Sequence, residues 1–172
     1  RARDCPRRGW VRMAGDTPLD TATVLLVGTT DWLDRLAERL AVGTGATVRR
    51  AETAGAATDL VAAERVDCLV TAYALGETTG VDLADALGDG PSTPPVLLGT
   101  ADGSEAIASR AVSAGVTDYL PVEGALDRAV DDAVARIETA LGAAREATVR
   151  RERARQFDAV FEDTQTATWV LD

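Results

Sequence analysis

The side chains that most often perform catalysis are scarce in this chain. Of 172 residues, 18 are basic and all of these are Arg; there is no His, Lys or Asn. Without His there is no Ser-His-Asp triad, no imidazole base and no His metal ligand. Without Lys there is no Schiff base and no P-loop lysine. Two cysteines, Cys5 and Cys68, cannot close a four-Cys zinc site or a disulfide framework. What remains is hydroxyls and the carboxylates of 28 Asp and Glu residues. In an open parallel sheet ligands gather at the carboxyl ends of the strands. Whether those oxygens can do chemistry therefore depends on where the strands end.

The hydropathy pattern alternates between short apolar runs and helical spacings. Thr23 to Val27 (TVLLV) reads as a buried parallel strand. Asp31 to Ala41 reads as a helix with Trp32, Leu33, Leu36 and Leu40 on one face, capped by Thr30 or Asp31. Further strands are expected at Ala46 to Arg50, Asp67 to Ala72, Val96 to Gly99 and Thr117 to Leu120. Between them fall helices at Ala54 to Arg65, Gly80 to Leu87 and Ser104 to Ala114, the last ended by Gly115. This order implies an α/β layer, a parallel sheet with right-handed crossovers and helices on both faces. A long helix is expected from about Glu123 to Phe161. Val130, Val134, Ile137, Leu141, Ala144 and Thr148 recur on it at spacings of four and three, a heptad seam that supports a two-stranded coiled coil. Its first part, Leu126 to Ile137, is expected to pack on the sheet and the rest to project.

The strand ends are then Gly28-Thr29-Thr30, Ala72-Tyr73, Thr100-Ala101 and Pro121-Val122. The segments VLLVGTT, DCLVTAYALGETTG, PPVLLGTA and SAGVTDYL, in that order, resemble the receiver domain of two-component response regulators. The resemblance spans about Thr23 to Ile137. It implies a flavodoxin-like (CheY-like) α/β fold with five parallel strands in the order 2-1-3-4-5. It also implies a chemistry. An aspartate ending the third strand accepts a phosphoryl group, and acids after the first strand hold Mg²⁺. A hydroxyl after the fourth strand and a Lys after the fifth bind the phosphoryl oxygens. Carried over position by position, the acceptor falls on Ala72, the acidic pair on Gly28 and Thr29, and the Lys on Val122. The hydroxyl is kept as Thr100 and the aromatic switch position as Tyr119. The pocket is thus degenerate, and the expectation is a pseudo-receiver with no catalytic residue, no metal and no cofactor. The alternative within the family is a shifted acceptor, with Asp67, Glu77 or Asp82 in that role. Outside it, a small enzyme or nucleotide binder lacks a Gly-rich phosphate loop: Gly43-x-Gly45 follows a helix and precedes a strand, the wrong order. A pseudo-receiver whose vacated pocket binds a small ligand lies between the two.

Other residues read more plainly. Cys68, inside an apolar strand, is expected in the core. Tyr119 is expected to be partly buried near the fourth helix and fifth strand, a face through which receivers commonly dimerise. Trp32 is expected to be partly exposed beside the vacant pocket. Residues 1–21 read as a basic disordered leader, with five Arg against one Asp in the first twelve. Residues 22–137 form the receiver-like domain and 138–156 a helical linker. Gln156 to Asp172 (QFDAVFEDTQTATWVLD) resembles the opening of a PAS sensory domain.

The net charge of -10 argues against direct contact with nucleic acid and suits a protein kept soluble in high salt, as in a haloarchaeal source. No apolar run approaches the ~20 residues of a membrane span. The expected protein is cytoplasmic. Its partners are other signalling proteins and a second copy, met through the long helix or the helix-four face. It precedes a PAS sensor and a histidine kinase or helix-turn-helix output.

Overall fold

A computed structural model describes residues 18–88, 90, 92–101, 104–122 and 124–166, with side chains described as far as Arg155. Five parallel strands form the sheet: β1 (Thr23–Val27), β2 (Thr47–Ala51), β3 (Cys68–Ala72), β6 (Val96–Thr100) and β7 (Asp118–Pro121). Their order is β2-β1-β3-β6-β7, with Val24 level with Cys68 and Leu69 level with Val96. In order of the sheet strands this is the expected 2-1-3-4-5. A small antiparallel hairpin, β4 (Ala74–Leu75) and β5 (Thr78–Thr79), was not legible from the sequence. The helices are α1 (Asp31–Gly43), α2 (Ala54–Ala63), α3 (Gly80–Leu87), α4 (Glu105–Ser113) and α5 (Leu126–Thr166).

Every residue of β3 and β6 is buried, as continuous apolar runs in a parallel sheet covered on both faces must be. Helix ends are set by local chemistry. Thr53 and Ser104 accept hydrogen bonds from Ala56 N and Ile107 N, capping α2 and α4. Thr79 and Asp82 close a full capping box at α3. At α1 Thr30 takes the N-cap position, but its side chain makes no cap, and its buried hydroxyl has no hydrogen-bond partner. The expected capping bond is absent because the Thr30 hydroxyl is turned inward.

Two boundaries differ from the expectation. The stretch read as disordered leader reaches the fold four residues early. Residues 18–21 form a turn, Leu19 is fully buried, and Arg145 donates to the Pro18 carbonyl (2.7 Å) and to the Thr21 hydroxyl (3.2 Å). Residues 1–17 lie outside the described residues. Second, α5 packs down further than Ile137. Val130, Ala133, Ile137, Ala140 and Leu141 are all buried against the chain's own core, and Val134 and Ala144 are partly buried. Burying each large side chain is worth ~1.5–3 kcal/mol, far more than an exposed ion pair. The stripe therefore holds α5 down, and the Arg136–Asp118 pair (2.8 and 2.9 Å) adds direction to it. Of the expected seam, Ile137 and Leu141 are consumed by this packing and are not available to a partner helix. Beyond Ala147, residues 148–155 are exposed. The expected PAS strand lies outside the described residues, as do the side chains of the helix preceding it. No helix among the described residues is long and apolar enough to cross a membrane.

Candidate functional site

The carboxyl ends of the sheet strands meet where the carry-over placed the pocket, and the structure brings Gly28, Ala72, Thr100 and Val122 together there. Backbone bonds stitch the ends: Gly28 N donates to Ala51 O (2.9 Å), Tyr73 N to Gly99 O (2.9 Å) and Val122 N to Thr100 O (2.9 Å). Ala72 is 3% exposed and Thr100 6% exposed. Gly28 has φ 121°, in the left-handed region that a side chain rarely adopts. A Cβ there would stand 3.0 Å from the Ala72 methyl, 3.2 Å from Leu33 Cδ1 and 3.4 Å from Leu75 Cδ2. An acid at this position therefore has neither the backbone angle nor the space. Thr29 beside it is exposed.

Two residues complete the closure: Trp32, whose place was expected but not its burial, and Leu75, which the sequence reading missed. Trp32, expected to be partly exposed, is 8% exposed; its ring lies on Gly99, in the space a Cβ of residue 99 would occupy. Leu75, carried by the hairpin, is 6% exposed and folds over Gly28. The signal for Leu75 was weak: Gly76, in the left-handed region (φ 79°), makes the turn that lets two residues of β4 pair with Thr78 and Thr79. No sequence signal links Trp32 to Gly99, because they are far apart in the chain.

This set does not fit Mg²⁺. A hard cation needs oxygen ligands, usually one or two carboxylates, and Gly28, Thr29 and Ala72 supply no carboxylate. Among the described residues no three His, Cys, Asp or Glu side chains converge to hold a metal. The acids considered as shifted acceptors are engaged elsewhere or placed away from the strand ends. Asp67, at the opening of β3, accepts from Thr23 N (3.0 Å) and pairs with Arg65 (3.0 Å). Asp82 accepts from Thr79 N (3.0 Å) and Thr79 Oγ1 (2.7 Å), which hold its carboxyl below the usual range, helped by Arg110. Glu77 is exposed in the hairpin turn. Cys68 is fully buried in β3; burial, with the Asp67 charge nearby, pushes its thiol up to about 12, so it is neither nucleophile nor ligand.

Tyr119 sits partly buried with Tyr73 and Ile107 around a second apolar cluster of Val81, Leu98 and Ala111 under α4. This matches the expected packing role.

Comparison with known proteins agrees with the geometry. The signal receiver domain of an HD domain-containing protein from Pseudomonas fluorescens Pf-5 is 21% identical, with a TM-score of 0.64 over 83% of this chain and 99% of its own. Chemotaxis response regulator CheY4 of Vibrio cholerae is 18% identical, with a TM-score of 0.59 over 68% of this chain and 98% of its own. The receiver domain of a signal transduction histidine kinase from Syntrophus aciditrophicus is 16% identical, with a TM-score of 0.60 over 72% of this chain and 92% of its own. At these identities the likeness is one of fold. No curated protein matches the chain. The family model described as the response regulator receiver domain matches residues 24–132, well over half the chain. By sequence family and by fold, this chain belongs to the response regulator receiver domains, signalling modules that act through other signalling proteins.

Proposed function

We propose that this receiver has given up phosphotransfer and works as a protein-interaction and relay module. One observation carries the reading: the strand ends hold Gly28, Ala72 and Val122, with Leu33 and Leu75 closing over Gly28 and the Trp32 ring over Gly99. Alanine has no oxygen to phosphorylate, and Gly28 and Thr29 offer no carboxylate to recruit the metal that would activate a donor. Gly28, with its positive φ, and Gly99, under the indole, suit a closed apolar packing. That packing also speaks against the vacated pocket as a small-ligand site.

The relay element in this reading is α5, which runs unbroken from the core contacts of Val130 and Ile137 to Thr166. Its extension would pass conformational bias to a following PAS sensor and, beyond it, to a histidine kinase or helix-turn-helix output. The PAS part rests on the resemblance of residues 156–172.

The test is to treat the chain with acetyl phosphate, and separately with beryllofluoride and Mg²⁺. No phosphoryl mass increment and no change in Trp32 fluorescence are expected. A stoichiometric phosphoryl adduct on Asp67, Glu77 or Asp82 would establish a shifted acceptor and sink the proposal. A nucleotide or metal that raises the melting temperature in a thermal-shift screen would establish a ligand-binding domain instead.

A further inference from the structure

The exposed flank formed by α1 and α5 carries a charge pattern that complements itself. Arg35 pairs with Asp127 (3.2 Å) and Arg39 with Asp131 (3.3 Å). Both pairs advance by four residues in the same direction, so α1 and α5 run parallel, the first with an Arg row and the second with an Asp row. All four side chains remain about half or more exposed, from 49% to 79%. Arg35 also serves Glu38 (3.1 Å) on its own helix; a guanidinium has five N–H donors, so both Arg residues retain donors for a further carboxylate. Between the rows lies a depression of about 400 Å³. Next to it Val42, one turn past Arg39, is 90% exposed, the most exposed large apolar residue described.

We propose that this flank binds a second copy of the chain about a twofold axis running along the helices. That operation lays α1 of one subunit over α5 of the other in the same direction and at the same level. Arg35 then faces Asp127 of the partner subunit, and Arg39 faces Asp131 of the partner subunit. Val42 comes level with Val134 of the partner subunit, three residues past Asp131 as Val42 is three past Arg39. The contact is isologous, so each of these meetings occurs twice. A copy is a better occupant than an unrelated protein because the Arg row and the Asp row are matched in spacing. The parallel sense brings Val42 to an apolar residue and lets both α5 helices leave the dimer by the same end. Val149, half-exposed and eighteen residues past Asp131, lies five helical turns on along the same side of α5. This interface does not depend on whether the pocket accepts phosphate, and it differs from both a coiled-coil seam and the α4 face.

Sedimentation of the full 172-residue chain tests it. The wild type is expected at twice 18.0 kDa. The Arg35→Asp, Arg39→Asp double variant puts like charges opposite one another and is expected to weaken association at least ~10-fold. Adding Asp127→Arg and Asp131→Arg exchanges the rows and is expected to restore the dimer. Val42→Asp, at a site too exposed to affect folding, is expected to give a monomer even if the double variant folds poorly. A wild type that stays monomeric overturns the proposal, and so does a Val42→Asp protein that stays dimeric. The parallel sense is read with a spin label at Val149→Cys in a Cys5→Ser background. A parallel dimer gives a separation below ~35 Å, and an antiparallel one ~60 Å at ~1.5 Å per residue. The longer distance overturns the arrangement.

Discussion

Gly99 bears no side chain where the Trp32 ring lies against the strand. A methyl added there collides with aromatic carbons held by buried neighbours, and interiors accommodate extra volume poorly. Gly99→Ala is expected to destabilise the fold by ~1–3 kcal/mol, read by denaturant unfolding. Trp32→Leu alone leaves a cavity and is also destabilising. The two together are expected to cost less than the sum of the singles, because the smaller side chain makes room for the new methyl. Strict additivity would show that the two residues are not packed as described. The pair also marks a limit of sequence reading. The emptiness of the pocket was legible at Gly28, Ala72 and Val122 because each sits at a recognisable strand end. What filled it was not, since an indole on α1 meeting a glycine on β6 is a tertiary fact with no local pattern.

At the scale of elements, most strands and helices were legible because their periods and caps are local. β1, β3 at its Ala72 end, and α3 fall where the hydropathy pattern put them. The hairpin of two-residue strands was too short to have a period. The heptad spacing of α5 identified an apolar face, and Ile137 packs on the chain's own core as expected; that Leu141, one turn further on, does so too was not legible. The α3 capping box has a pH signature. The Thr79 bonds lower the Asp82 pKa from 3.8, so the carboxylate stabilises the folded state fully above its ordinary value. That contribution is lost as pH falls through the lower folded value. The stability difference between wild type and Asp82→Ala should therefore shrink when melts move from pH 7 to below pH 3. A difference that persists unchanged in acid would mean that the carboxylate charge has no part in the cap.

Across the whole molecule, the dominant quantity is a net charge of -10 carried without Lys. Ion pairs such as Arg49–Glu64 (2.9 Å) and Arg50–Asp34 bring together part of that charge, and the excess of acid leaves net self-repulsion. Salt shortens the screening length from ~10 Å at 0.1 M to ~3 Å at 1 M. The melting temperature at low protein concentration is expected to rise across that range. A flat or falling value would show that repulsion does not limit stability. The acid-rich surface was plain from composition; that Gly28, Thr29 and Ala72 carry none of that acid became meaningful only once the strands were placed.

The unbroken course of α5 has one more consequence. A continuous helix fixes angle as well as distance: each residue adds ~1.5 Å and turns the rest of the helix by ~100°. From Leu141, the last buried residue among those described, to Thr166, the chain advances ~38 Å. A single-residue insertion in the exposed stretch around Arg150 would leave the receiver body untouched. It would nonetheless swing the far end more than a quarter of a turn about the helix axis. The helix thus behaves as a keyed shaft, in which orientation is set by residue count and a seven-residue insertion would come close to restoring the original phase.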